Sequence, residues 1–145
     1  LGGLMAGGSL EQVTALRAFG LPLGVAFQLR DDLLGVFGDP AVTGKPAGDD
    51  LREGKRTVII ALARAALPAG AVRLIDELLG DPQLSDYQIA TLRATIRDSG
   101  AVETTERIIA RSVAEAVDAL EDAPLSRSAR AELIGLSELV THRAH

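Results

Sequence analysis

Apolar residues recur at intervals of three and four along most of this chain, and the runs they form end at glycine or proline. That alternation leaves room for little besides short and medium helices joined by turns. Val25, Leu29, Leu33, Val36 and Phe37 make one stripe, and Val102, Ile108, Ile109, Val113, Val117 and Leu120 another. The 47% apolar content is almost wholly Ala, Leu, Val and Ile, with only 3% aromatic residues. Such a mixture suits packed helices better than sheets. At 145 residues the chain is long enough to bury a core. The expectation is an all-α fold, with residues 1–145 forming a single helical domain.

Local signals place the elements. Residues 1–8 fit either the end of a packed helix or a loop. Ser9 with Gln12 forms a capping-box pattern, so a helix starts near Leu10. It carries Val13, Leu16, Phe19 and Leu23 on one side. Gly20 and Pro22 predict a kink or break before the pattern resumes. Gly38, Asp39 and Pro40 stop it, with Asp39 read as a cap or turn residue. Residues 40–54 hold three glycines and two prolines and read as an ordered loop. Further helices are expected over 57–67, 71–79, 86–98 with Ser85 as its cap, 101–121, and from Arg127 or Ser128 to 142. In the last of these Leu133, Leu136 and Leu139 are expected to face inward, and Tyr87 reads as a surface residue. There is no internal repeat or low-complexity tract.

Charge and composition exclude several functions. A net charge of −5 without any Lys/Arg-rich block argues against nucleic acid as a partner. The absence of cysteine rules out disulfides and thiolate metal sites and fits a cytoplasmic protein. No apolar run approaches the roughly 20 residues needed to span a bilayer. No serine or threonine stands in a nucleophile elbow or beside a paired base, so hydrolase chemistry is unsupported. His142 and His145 lack a third ligand nearby, and Arg127 and Arg130 read as surface charges.

Chemistry is concentrated in residues 24–57. Gln28, Asp31, Asp32 and Gly35 share one helix face at i, i+3, i+4 and i+7. Adjacent carboxylates repel and call for a cation. Mg²⁺ takes oxygen ligands and is commonly held by one or two carboxylates together with substrate phosphates. Lys45 and Lys55 follow in a glycine-rich loop that brackets Asp50. Lysine is a compact charge for phosphate oxygens, and glycines let backbone amides approach.

The strings FQLRDDLLGVFGD and TGKPAGDDLREGKRT resemble the second aspartate-rich region of the trans-isoprenyl diphosphate synthases, also called polyprenyl synthetases. The match is close over about 35 residues, and the remaining helices are compatible with the C-terminal half of that family's helical bundle. The resemblance implies a Mg²⁺-dependent prenyltransferase of the geranylgeranyl or farnesyl class, which joins an allylic diphosphate to isopentenyl diphosphate and works as a homodimer. It also implies roles. Asp31 and Asp32 hold Mg²⁺, with Asp50 near the metal-bound waters. Phe27 and Gln28 line the prenyl pocket, Lys45 contacts the allylic diphosphate, and Lys55 stands at the mouth of the site.

Two departures from the family pattern stand out. Gly35 replaces the last acid of DDxxD, so metal binding is expected to lean on the first two acids, water and substrate. No second aspartate-rich helix motif occurs in the 145 residues. With Leu1 in place of an initiating Met, the chain reads as the latter part of a longer synthase, inactive alone. A non-catalytic subunit that regulates a synthase would account for both departures, and a class I terpene cyclase shares the metal and diphosphate chemistry. The lysines that follow the acids favour chain elongation over cyclisation.

Overall fold

The computed structural model describes residues 2–44 and 48–141 of the chain. Every element among them is a helix. In order these are α1 (Gly2–Met5), α2 (Leu10–Phe37), α3 (Pro40–Thr43), α4 (Asp49–Arg52), α5 (Val58–Ala66), α6 (Ala69–Leu78), α7 (Asp86–Asp98), α8 (Ala101–Asp118) and α9 (Arg127–Thr141). None of the described helices is long and apolar enough to cross a membrane.

The described residues gather into two compact units, and α2 and α8 each contribute to both. In the first, residues up to 28 come together with those from 108 onward. The start of α2 is capped as its sequence requires: the Ser9 amide donates to Gln12 Oε1 at 3.0 Å and the Gln12 amide to Ser9 Oγ at 3.2 Å. Gln12 Nε2 also donates to the Pro124 carbonyl at 2.9 Å, tying this end of α2 to the connection before α9. Phe19, Leu23, Ala26, Ile109, Ala116 and Leu120 are buried.

The second unit comprises residues 29–107. Leu29, Leu33 and Val36 from α2 are buried, as are Leu51 of α4, Ile59, Ile60 and Ala63 of α5, Ile75 of α6, and Ile89, Leu92 and Ile96 of α7. Their spacings of three and four are those the sequence displays, because one face of each helix is withdrawn from water. A complete capping box starts α7, with Ser85 and Gln88 each accepting from the other's amide.

Four sequence expectations are corrected. Helix α2 runs through Gly20 and Pro22 without a break. A proline removes only one donor, and buried Phe19 and Leu23 on either side hold the chain in helical register. Within residues 40–54 two single-turn helices form. Asp39 Oδ1 accepts from the Ala41 amide at 2.8 Å, and Pro40 takes the first helical position of α3, where its missing N–H costs nothing. Val25 is 49% exposed although its spacing fits the stripe. On α9, Leu136 and Leu139 face outward while Ser137 is buried, its hydroxyl donating to the Ile134 carbonyl at 2.7 Å. A serine that satisfies itself on its own helix can take an inward position that a count of apolar residues assigns elsewhere.

Candidate active site

The last three turns of α2 set the acids in place. Burial of Leu29, Leu33 and Val36 fixes the rotation of the helix, which leaves Asp31 exposed and Asp32 at the edge of the core, 9% exposed. Arg30, just before the pair, turns the other way and is buried. Its guanidinium forks onto Glu106 of α8 through Nη1–Oε1 at 2.6 Å and Nη2–Oε2 at 2.8 Å. This bidentate geometry is the strong form of a charge-assisted hydrogen bond. The C-terminus of α2 is met by α7: Arg93 Nε donates to the Val36 carbonyl at 2.6 Å, and the Arg97 guanidinium lies 4.6 Å from the centre of the Phe37 ring. Cations suit the negative end of a helix. Burial, followed by the nearby charges of Arg97 and Arg52, lowers the pKa of Arg93 from its usual value.

Helix α4 meets this helix at Asp50. Asp50 is buried, and its carboxylate occupies the space that a side chain at position 35 would fill. A β-carbon built on Gly35 would stand 2.9 Å from Oδ1 and closer still to the rest of the group, inside the 3.0 Å that real β-carbons essentially never show. Lys55 Nζ pairs with Asp50 Oδ1 and also with Glu53 Oε2, the latter at 3.2 Å. Hydrogen bonds to Asp50 and then Glu53 raise the Lys55 pKa above its ordinary range, so its ammonium stays charged.

Three contacts fasten the same segment to the turn between α6 and α7. The Gly80 amide donates to the Leu51 carbonyl at 2.9 Å, and Arg52 Nη2 donates to the Leu84 carbonyl at 3.3 Å. Gly54 and Gly80 cross so closely that a β-carbon at 54 would meet the Gly80 α-carbon at 2.9 Å, and both hold positive φ, 69° and 94°. Only glycine combines that backbone with that approach.

The structure therefore brings Gly35, Asp50 and Lys55 together and ties them to the helix of Asp31 and Asp32. Phe27 and Gln28 belong to the other unit, and both are exposed. Lys45 lies outside the described residues, as do His142 and His145. Tyr87, read as a surface residue, is 82% exposed. Among the described residues no three His, Cys, Asp or Glu side chains converge closely enough to hold an ion unaided. The sequence reading missed Arg30, Glu106, Arg93 and Gly80. Nothing local marks Arg30 and Glu106 as partners 76 positions apart, whereas Gly80 in a Gly-Asp-Pro run gave a turn signal without its purpose.

Comparison with known proteins decides the family. The family model for polyprenyl synthetase matches residues 1–95. This chain belongs to the polyprenyl synthetase family. Within the family it is 38% identical over 136 residues to a geranylfarnesyl diphosphate synthase of Aeropyrum pernix, covering 94% of this chain and 42% of the relative. It is 34% identical over 143 residues to a geranylgeranyl diphosphate synthase of Mycobacterium tuberculosis, covering 99% of this chain and 40% of the relative. The chain thus spans about two-fifths of the length of these curated relatives. A crystal structure of geranylgeranyl pyrophosphate synthase from Corynebacterium glutamicum, complexed with isoprenyl diphosphate and magnesium, superposes with a TM-score of 0.90 at 44% identity. That match covers 96% of this chain and 40% of the other. The helical fold of the polyprenyl synthetase family is therefore the fold of this chain.

Proposed function

We propose that this chain forms part of a Mg²⁺-dependent prenyltransferase that joins an allylic diphosphate to isopentenyl diphosphate, giving a product of the geranylgeranyl or farnesyl class. One observation carries the reading. The Asp50 carboxylate rests on Gly35, one helical turn after Asp31, and so brings the Lys55 ammonium to the helix of the paired aspartates. Family membership and the diphosphate synthases among the relatives support it.

The donor set fits magnesium, since carboxylate oxygens are hard ligands and Asp31 is open to solvent. Because no three side chains among the described residues converge, phosphate oxygens and water must complete the shell, as is usual for this ion. When bound, the ion supplies charge stabilisation to the departing diphosphate.

The remaining tasks fall to this chain's own groups. Asp31 and Asp32 would hold the ion, and Asp50, with one oxygen committed to Lys55, would support the site from behind. Lys45 and Lys55 would supply positive charge to offset the charge that builds as the allylic carbon–oxygen bond breaks. Phe27 and Gln28 line the path of the prenyl chain. The new carbon–carbon bond then forms to isopentenyl diphosphate and a proton is lost. The complete protein acts in the cytoplasm as a homodimer.

The test is Asp31→Ala in the complete protein, assayed with dimethylallyl, geranyl and farnesyl diphosphates beside isopentenyl diphosphate. Magnesium-dependent turnover should fall by at least about a thousandfold, as expected when a group that stabilises transition-state charge is lost. Helical content by circular dichroism should be unchanged. Near-normal turnover would remove Asp31 from the site.

A further inference from the structure

We propose that Gly35 is the socket of Asp50, and that this interlock makes Asp50 a positioning residue that fixes the Lys55 ammonium for a magnesium-bound diphosphate. The proposal rests on the functional reading above and adds a role to a position that the DDxxD pattern would mark only as a lost ligand.

The geometry is specific. Gly35 lies four residues after Asp31 and therefore on the same face of α2, one turn on. Its missing side chain is replaced in space by a carboxylate from a different segment of the chain. That carboxylate is buried, with Oδ1 bound to Lys55 and Oδ2 and Cγ in the volume a β-carbon at Gly35 would take. A buried carboxylate needs a partner, and Lys55, with its side chain 44% exposed, provides one while keeping its ammonium accessible. The ammonium is thus placed by α2 itself and not by the loop alone. The Leu51–Gly80 hydrogen bond and the Gly54–Gly80 crossing fix the other side of the segment. Any side chain at position 35 would push the Asp50 carboxylate out and leave Lys55 with Glu53 as its remaining partner, drawn away from α2.

On this view an aspartate at position 35, which would complete the DDxxD pattern, is harmful. Two acids would compete for one volume and one lysine. The harm should disappear when the competing carboxylate is removed.

The experiment uses the complete protein carrying Gly35→Ala, Gly35→Asp, Asp50→Gly, Lys55→Met, and the pairs Gly35→Ala/Asp50→Gly and Gly35→Ala/Lys55→Met. Two quantities are read: the thermal midpoint without metal, and the affinity for inorganic pyrophosphate at saturating Mg²⁺ by calorimetry. Gly35→Ala and Gly35→Asp should each lower the metal-free midpoint by about 2–6 °C, since the carboxylate that gives way belongs to a buried ion pair. Asp50→Gly should absorb that loss, leaving Gly35→Ala/Asp50→Gly no less stable than Asp50→Gly alone. Gly35→Ala and Lys55→Met should each weaken pyrophosphate binding about tenfold or more, the usual effect of losing a charge-assisted contact. Together they should weaken it little further, because both remove one ammonium from its place.

A Gly35→Ala protein with an unchanged midpoint would overturn the socket. Full additivity of Gly35→Ala and Lys55→Met in pyrophosphate affinity would overturn the positioning role, since a merely structural defect would add to the loss of the lysine. Wild-type protein that takes no pyrophosphate with Mg²⁺ would defeat the functional reading and the diphosphate role of Lys55, while the midpoints still decide the interlock.

Discussion

Replacing Glu106 with alanine should destabilise the protein by about 2–3 kcal/mol, a magnitude that follows from the surroundings of its partner. The Arg30 side chain is 8% exposed and that of Glu106 35%. Removing one member of a fully buried pair typically costs about 3–5 kcal/mol, because the survivor is left charged and unpaired, whereas an exposed pair is worth about 1 kcal/mol or less. Here the stranded group is the buried one, but the vacated side opens toward water, which places the cost between those limits. For a chain of this size that corresponds to a fall of about 5–10 °C in the thermal midpoint. Urea unfolding followed by circular dichroism measures it directly. The companion variant Arg30→Met/Glu106→Leu should return to within about 1 kcal/mol of wild type, since apolar packing commonly replaces a buried ion pair without loss. Glu106→Ala within about 0.5 kcal/mol of wild type would refute the account, as would an apolar pair no better than the single substitution.

Two further outcomes are expected. Ser85→Ala removes an acceptor from the capping box of α7 and should cost about 1 kcal/mol. Faster hydrogen exchange in the first turn of α7 and a lower urea midpoint would show it. The Lys55 pKa is raised in the folded state, so its stabilising contribution is fully present below the ordinary lysine value of about 10.4 and is lost only as pH rises beyond it through the folded value. The stability difference between wild type and Lys55→Met should therefore hold constant from about pH 7 to 10 and shrink only above. A difference that vanished by about pH 9 would contradict the pairing.

Much of the fold was legible because the signals were local. Ser9 with Gln12 and Ser85 with Gln88 declare helix starts within four residues, and each caps as its chemistry dictates, whereas Asp39 before Pro40 read as a stop and proved to start a single-turn helix. Periodicity located the buried side of α2 at Leu29, Leu33 and Val36. It failed where an inward residue was not apolar, as at Ser137, or where an apolar one had no neighbour to cover it, as at Leu139. The paired acids and the basic loop residues were visible as charges too concentrated for a plain surface. What stayed hidden was pairing at a distance. Gly35 looked like a subtraction from a motif, because a sequence shows that a side chain is missing but not what has moved into its place. Arg30 and Glu106 meet only after α2 and α8 pack together, and the helical period of neither one announces the other.

The backbone bond from Gly80 to Leu51 gives the turn between α6 and α7 an influence it has no chemistry to exert. Residues 79–85 brace, from outside the charged cluster, the segment that carries Asp50 and Lys55. A side chain introduced at Gly80, whose φ is +94°, would strain that brace while leaving the charged segment's own sequence untouched. A designer wishing to retune the grip of the lysine could therefore work from this distant handle, without altering a single charged group.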